Sequence, residues 1–148
     1  MIELILIRHA HAGPYTSPDE ARHLSERGIK EAKQLATILA DYPLPDGIWY
    51  VSDAIRTLET YRILTAQQAE VSKYWYHASG PAYLEKIVQS AASCVYLVAH
   101  NPSISYVASY LSGEDIQMDT ANFVHLQWPT LDSWEEVSQG SATVKNRF

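Results

Sequence analysis

The chain has 148 residues, of which 47% are hydrophobic, and it carries a formal net charge of −6. This length and composition fit one compact domain with a buried core and exclude a chain that is disordered throughout. The negative charge argues against nonspecific binding to nucleic acid or to an anionic membrane. No apolar stretch approaches the roughly 20 residues of a membrane span, no signal peptide is recognisable, and the single cysteine, Cys94, fits a reducing compartment. We therefore expect a cytoplasmic protein.

Hydrophobic periodicity divides most of the chain into alternating strands and helices. Apolar runs predict strands at residues 2–8, 48–51, 71–76 and 95–99. Helices are predicted at about residues 25–41, 54–68, 80–92 and 102–113, with Ser25 and Asn101 as N-caps. This alternation predicts an α/β fold, a three-layer α/β/α sandwich with a mostly parallel central sheet.

The pattern changes after residue 113. Residues 123–128 and 133–137 predict two strands around a turn, which would form a C-terminal hairpin at one edge of the sheet. Residues 139–148 show no periodicity, and we expect this tail to fray. Neither a repeat nor a linker interrupts the chain, so we expect a single domain over residues 1–148.

Two of the predicted strands end in a histidine. His9 follows Arg8 at the end of the first strand, and His100 follows the fourth strand directly. Ligands of open α/β sheets bind at the carboxyl ends of the strands, so we expect these two imidazoles to converge. Arg8, together with Arg56 just after the second strand, would make this site attractive to anions, because guanidinium groups bind phosphate oxygens in bidentate geometry. The arrangement predicts phosphoryl chemistry on histidine.

Each of these residues also has a purely structural interpretation. A lone histidine at a strand end is more often a satisfied core residue than a nucleophile, and Arg56 could be a solvated residue in the first turn of a helix. Cations are disfavoured at a helix N-terminus, so Arg56 fits its position better if an anion binds there. The pairing of His9 with His100, which precedes a helix N-terminus suited to phosphate, favours the functional interpretation.

Three segments of the chain resemble the signatures of the histidine phosphatase superfamily, which has the phosphoglycerate mutase-like fold. They are Arg-His-Ala at 8–10, Ser-Asp-Ala-Ile-Arg-Thr at 52–57 and Val-Ala-His-Asn-Pro at 98–102. Residues 22–28 and 118–121, together with the short length, resemble the SixA branch of phosphohistidine phosphatases. Position 10 is alanine where many members of the superfamily have glycine.

The resemblance implies a mechanism and a type of partner. His9 would accept the phosphoryl group as a phosphohistidine intermediate, Arg8, Arg56 and His100 would form the phosphate pocket, and water would then attack the intermediate. Arg22 is a further candidate for this pocket. The resemblance implies no metal and no organic cofactor, and it implies a phosphorylated signalling or phosphotransfer protein as the partner.

The sequence offers no clear acid to protonate a leaving group. Larger relatives carry Glu or Asp after the third strand, whereas residues 76–80 here contain only His77 as a candidate proton donor, and Glu85 is expected on a solvated helix face. An alkoxide needs such a proton, and general acid help is typically worth ~10²–10⁴-fold. A phosphorylated imidazole can arrive already protonated, because its free nitrogen titrates close to neutrality. The missing acid therefore favours a substrate with a P–N bond.

We therefore predict a phosphatase that hydrolyses phosphohistidine on a protein through a covalent intermediate on His9. One alternative is a general phosphomonoesterase for small phosphorylated substrates, although the large insertions that select such substrates are absent. The other is a phosphate-binding module without turnover, which would not require a strand-end nucleophile. His11 alternates with His9 as metal ligands can, but no carboxylate or cysteine cluster completes a metal site. His125 is expected to be structural.

Overall fold

The computed structural model describes residues 1–148. The strands are β1 (Ile2–Arg8), β2 (Ile48–Ser52), β3 (Ala69–Ser72), β4 (Cys94–Ala99), β5 (Phe123–Trp128) and β6 (Thr143–Arg147). The helices are α1 (Glu26–Ala40), α2 (Ile55–Leu64), α3 (Tyr74–His77), α4 (Gly80–Ile87) and α5 (Ser103–Ser112). Short 3-10 turns span Asp19–Ala21 and Trp134–Glu136. None of the helices has both the length and the apolar composition needed to cross a membrane.

All strands belong to one sheet, in the order β3-β2-β4-β1-β5-β6. The pairs β3–β2, β2–β4 and β4–β1 are parallel, whereas β5 and β6 are added in antiparallel orientation at one edge. In the central pair, Arg8 of β1 is in register with Ala99 of β4. The residues that follow, His9 and His100, therefore leave the sheet side by side.

Alternate residues of the central strands point into two separate cores. On one face of the sheet, Leu6 of β1 packs in a cluster that includes Val107 of α5. On the other face, Ile5 of β1 packs in a cluster that includes Leu35 of α1. Because helices cover both faces, the central strands are apolar along nearly their whole length. The predicted α/β/α sandwich is confirmed, and its parallel part consists of four of the six strands.

The third strand and the helix after it differ from the prediction. β3 is confined to Ala69–Ser72, and residues 74–76, expected in the same strand, lie in α3. The aromatic residues of this helix pack into the core, since Trp75 is 1% exposed and contacts the rings of Tyr50 and Tyr83. Burial of the indole outweighs the β propensity of the run.

The helix ends follow local caps. The Ser25 side chain accepts a backbone N–H bond and begins α1, as predicted. α5 begins at Ser103 with Pro102 as its N-cap, so the prediction that Asn101 caps this helix is wrong. The Asn101 amide instead donates to a backbone carbonyl in the segment between α5 and β5. Helices α2 and α4 end before the predicted residues.

The C-terminal edge was predicted only in part. A hairpin-like edge exists, but the partner of β5 is β6, and the segment expected to be its second strand forms the 3-10 turn Trp134–Glu136. The Trp134 ring is buried there and its Nε1 donates to the carbonyl of Ala92, 2.7 Å away. The expectation that residues 139–148 fray is wrong, because β6 pairs with β5 and Phe148 exchanges two backbone hydrogen bonds with Phe123.

Candidate active site

A cavity of about 460 Å³ opens where β1, β2 and β4 end. Five residues singled out from the sequence line this cavity, namely Arg8, His9, Arg22, Arg56 and His100. The other lining residues are His11, Ala12, Asp19, Tyr76, Asn101 and Thr120. The convergence expected from strand-end positions is therefore present.

His9 is held in a single tautomer by its own segment. Its Nδ1 lies 2.7 Å from the carbonyl oxygen of Ala10, and because a carbonyl only accepts, Nδ1 carries the proton. The Nε2 atom consequently keeps a free lone pair. Burial, together with the positive charges of Arg56 and Arg8, lowers the pKa of His9 to about 4. At neutral pH His9 is an uncharged imidazole, the form that acts as a nucleophile.

His100 lies beside it, with the two ring centroids 5.1 Å apart. The Nε2 atom of His100 is 2.7 Å from the hydroxyl oxygen of Ser52, at the end of β2. Burial, and then the neighbouring His9 and Arg56, lower the pKa of His100 to about 3. His100 is therefore neutral at pH 7, and any hydrogen bond that it donates comes from a neutral ring rather than from an imidazolium.

The three arginines of the cavity are tied to the protein through their terminal nitrogens. Arg8 donates from Nη1 to the carbonyl of Met118 at 3.1 Å, and Arg22 donates from Nη2 to the carbonyl of Gly13 at 2.8 Å. Arg56, only 7% exposed, donates from both Nη atoms to Asp19. The buried side-chain polar atoms that lack a hydrogen-bond partner are the Nε atoms of these three arginines. A buried unpaired donor is costly, so the arrangement retains capacity for an anion.

Asp19 and Tyr76 belong to the site but were missed by the sequence analysis. The Asp19 carboxylate accepts hydrogen bonds from Tyr76 Oη at 2.7 Å, Arg56 Nη2 at 2.8 Å and Arg22 Nη1 at 3.1 Å. The Tyr76 hydroxyl and the two guanidinium groups hold the pKa of Asp19 well below its usual range. Asp19 is therefore ionised and cannot serve as a proton donor at neutral pH. The spacing of Asp19 and Arg22, three residues apart in a polar loop, was the one available signal.

His77, the candidate proton donor, is not among the residues that line the cavity. Its ring packs edge-on against that of Tyr76, with centroids 4.7 Å apart, and α3 presents Tyr76 to the site instead. The structure therefore gives no support to a proton-donor role for His77. His11 lines the cavity, and its Nδ1 is 2.7 Å from Ser25 Oγ. No group of three or more His, Cys, Asp or Glu side chains is arranged to hold a metal ion.

Comparison with known proteins assigns the family. Residues 4–75 match the sequence profile of the histidine phosphatase superfamily (branch 1). An uncharacterized chloroplastic protein of Arabidopsis thaliana is 30% identical over 151 residues, an alignment that covers 90% of this chain and 69% of the relative. The chain belongs to the histidine phosphatase superfamily, as the three signature segments predicted.

Solved structures of SixA proteins share the fold. A candidate phosphohistidine phosphatase SixA from Nakamurella multipartitia matches with a TM-score of 0.85 and 22% identity, over 99% of this chain and 95% of the other. The corresponding candidate from Agrobacterium tumefaciens gives 0.83 and 22% over 99% and 97%. The protein histidine phosphatase SixA complexed with tungstate gives 0.78 and 18% over 99% and 96%. The SixA-like fold predicted from the sequence is confirmed.

Proposed function

We propose that this protein is a phosphohistidine phosphatase that removes phosphoryl groups from histidine side chains of a phosphorylated protein. The observation that carries the proposal is the tautomer of His9. Its Nδ1 is committed to the Ala10 carbonyl, so the lone pair of a neutral imidazole is left at Nε2 in a cavity lined by three arginines. Family membership and the SixA-like fold support the same reaction class.

In the first step, the guanidinium groups would bind the equatorial oxygens of the phosphoryl group, where charge is spread during transfer. The Nε2 lone pair of His9 attacks phosphorus as the P–N bond to the substrate breaks. The electron pair of that bond stays on the substrate nitrogen, and a ring already protonated on its other nitrogen leaves as neutral imidazole. The new phosphohistidine keeps its proton on Nδ1, hydrogen-bonded to Ala10.

In the second step, a water molecule attacks the phosphorus of the intermediate. The P–N bond to His9 breaks and its electron pair returns to Nε2, which regenerates the neutral imidazole. Both hydrogens of the water leave on the phosphate, which then equilibrates with solvent. Because Nδ1 keeps its proton throughout, this departure also needs no separate acid. His100 would donate to a phosphoryl oxygen from Nδ1 when Ser52 donates its hydroxyl proton to Nε2.

The protonation states favour a P–N substrate over an alkyl phosphate. Asp19 is ionised, and burial keeps His9 and His100 neutral at pH 7, so none of these three groups can protonate an alkoxide. A phosphorylated histidine brings its own proton to the leaving group, since imidazole titrates close to neutrality. The substrate therefore supplies the proton of the leaving group, which these three side chains cannot supply.

The test compares turnover of three substrates by the full chain: a chemically phosphorylated histidine protein, p-nitrophenyl phosphate and glycerol phosphate. We expect kcat/KM for the phosphohistidine protein to exceed that for glycerol phosphate by about 10²-fold or more, the range of a missing general acid. Preference for glycerol phosphate would establish the phosphomonoesterase alternative. Phosphate binding without turnover of any substrate would establish the binding module.

A further inference from the structure

The carboxylate of Asp19 joins three donors that come from separate parts of the chain. Oδ2 accepts from Arg56 Nη2 at 2.8 Å and from Tyr76 Oη at 2.7 Å, while Oδ1 accepts from Arg22 Nη1 at 3.1 Å. Arg56 lies in the first turn of α2, Tyr76 in α3 and Arg22 just after the 3-10 turn. All four residues line the same cavity.

We propose that Asp19 is a positioning residue that orients Arg56 and Arg22 for the phosphoryl group. The inference rests on the proposed function and adds a role for a residue outside the three signature segments. The Asp19 carboxylate would not touch the reacting atoms. It would act through the two guanidinium groups that bind the phosphoryl oxygens.

Asp19 alone fixes the orientation of the Arg56 guanidinium, because it accepts hydrogen bonds from both Nη atoms. Its Nη1 donates to the Asp19 backbone carbonyl at 2.9 Å, and its Nη2 donates to the side chain of the same residue. Two bonds from one residue fix both the position and the plane of the guanidinium. Arg22 is fixed in the same way, by Asp19 on Nη1 and by the Gly13 carbonyl on Nη2. Recognition of phosphate by a planar fork depends on this plane, so loss of either anchor misplaces the donors.

Asp19 also sets the charge of the cavity. Apart from the imidazoles, the charged groups that line the cavity are three guanidinium cations and one carboxylate, a formal charge of +2 that complements a dianionic phosphoryl group. A carboxylate so near an anion site would be expected to repel the ligand if charge were its only effect. Coulomb repulsion and positioning therefore predict opposite consequences of removing this carboxylate. Relief of repulsion would strengthen phosphate binding, whereas misplaced arginines would weaken it.

The experiment measures binding of inorganic phosphate by calorimetry, and kcat and KM for the phosphohistidine protein, in the wild-type chain and in Asp19→Asn. The control is Glu20→Gln, which removes the same charge from the same 3-10 turn without disturbing Arg56 or Arg22. We expect Asp19→Asn to weaken phosphate binding by about tenfold to a hundredfold and to raise KM in step, as misplaced donors do. Glu20→Gln should change binding by less than about twofold, because the half-buried Glu20 side chain makes no hydrogen bond or ion pair with Arg56 or Arg22.

Phosphate binding by Asp19→Asn that equals or exceeds that of the wild type would overturn the positioning role. A wild-type chain that neither binds phosphate nor releases it from phosphohistidine would instead refute the proposed function itself. If Asp19→Asn does not fold, Tyr76→Phe provides a second test of the positioning role of Asp19. It removes one donor from the carboxylate and should weaken phosphate binding by about threefold or more, the value of one ordinary hydrogen bond.

Discussion

Buried histidines occur in two regions of the molecule, and their surroundings differ. His9 and His100 are 8% and 7% exposed and border a cavity, whereas His125 on β5 is 0% exposed and does not line that cavity. His125 has both ring nitrogens paired, with Glu3 Oε2 at 2.6 Å and with Tyr42 Oη at 2.7 Å. His9 has only Nδ1 paired, and its Nε2 is free.

Burial alone does not separate the two regions. It lowers the pKa of all three histidines, although at His125 the hydrogen bond and charge of Glu3 oppose the shift. The two regions differ in whether a ring nitrogen lacks a hydrogen-bond partner and in the sign of the charge near the ring. A histidine with two internal partners and a carboxylate neighbour holds the sheet together, whereas one with a free nitrogen among guanidinium groups is placed for chemistry on an anion.

The largest effect is expected from His9→Asn. Removing the nucleophile should lower phosphate release from phosphohistidine protein by about 10⁴-fold or more, the scale seen when a covalent nucleophile is deleted. Stopped-flow detection of phosphate measures the rate, and circular dichroism checks the fold. Activity within tenfold of the wild type would show that His9 is not the nucleophile, and it would contradict the functional difference between the His9 and His125 regions.

Arg56→Lys should come next. It retains the positive charge but loses the planar fork and its two bonds to Asp19, and we expect kcat/KM to fall by about 10²–10³-fold. The matched control is Arg62→Lys, in the last turn of the same helix and exposed. If the two variants lose activity equally, the guanidinium of Arg56 has no special role.

His125→Ala should affect stability rather than activity. The substitution leaves the half-buried Glu3 carboxylate without its closest partner, and we expect the free energy of unfolding to fall by about 2 kcal/mol. Urea denaturation measures this loss, while kcat of the folded enzyme should stay within about twofold of the wild type. A large fall in kcat with unchanged stability would contradict the structural role of His125.

The smallest effect concerns pH. With the pKa of His9 lowered to about 4, less than about a tenth of this side chain is protonated at pH 5.5. Nuclear magnetic resonance of the ring should therefore show no titration of His9 between pH 7 and 5.5. Since an unfolded histidine takes up its proton near pH 6.5, stability decreases as the pH falls from there toward 4. A midpoint near 6.5 in the folded protein would contradict the burial argument.

The sequence was sufficient to locate the residues at the centre of the site, but not Asp19 and Tyr76, which hold the arginines in place. His9, His100 and Arg56 follow apolar strands, and the ends of parallel strands share one edge of a sheet, so their convergence is predictable. Asp19 lies in a loop without periodicity, and its contacts come from residues far along the chain. Tyr76 was assigned to the predicted strand over residues 71–76, whereas the segment forms a helix that buries Trp75 in the core.

The edge of the sheet shows the same limit. Residues 143–147 alternate polar and apolar side chains only weakly, and their strand depends on the exposed edge of β5 and on the packing of Phe148 against Tyr42 and Phe123. Such pairing is a property of the assembled sheet. A local pattern contains no information about which edge is free.

Covalent transfer of the phosphoryl group to His9 is tested most directly by trapping the phosphohistidine intermediate. Enzyme is mixed with excess phosphohistidine protein, quenched in alkali during turnover, digested and examined by mass spectrometry. We expect covalent transfer to leave a phosphoryl group on the peptide that contains His9, and we expect no phosphoryl group on the corresponding peptide of His9→Asn. Steady phosphate release with no phosphoryl group on the His9 peptide, or with the group on another residue of the chain, would contradict covalent transfer to His9.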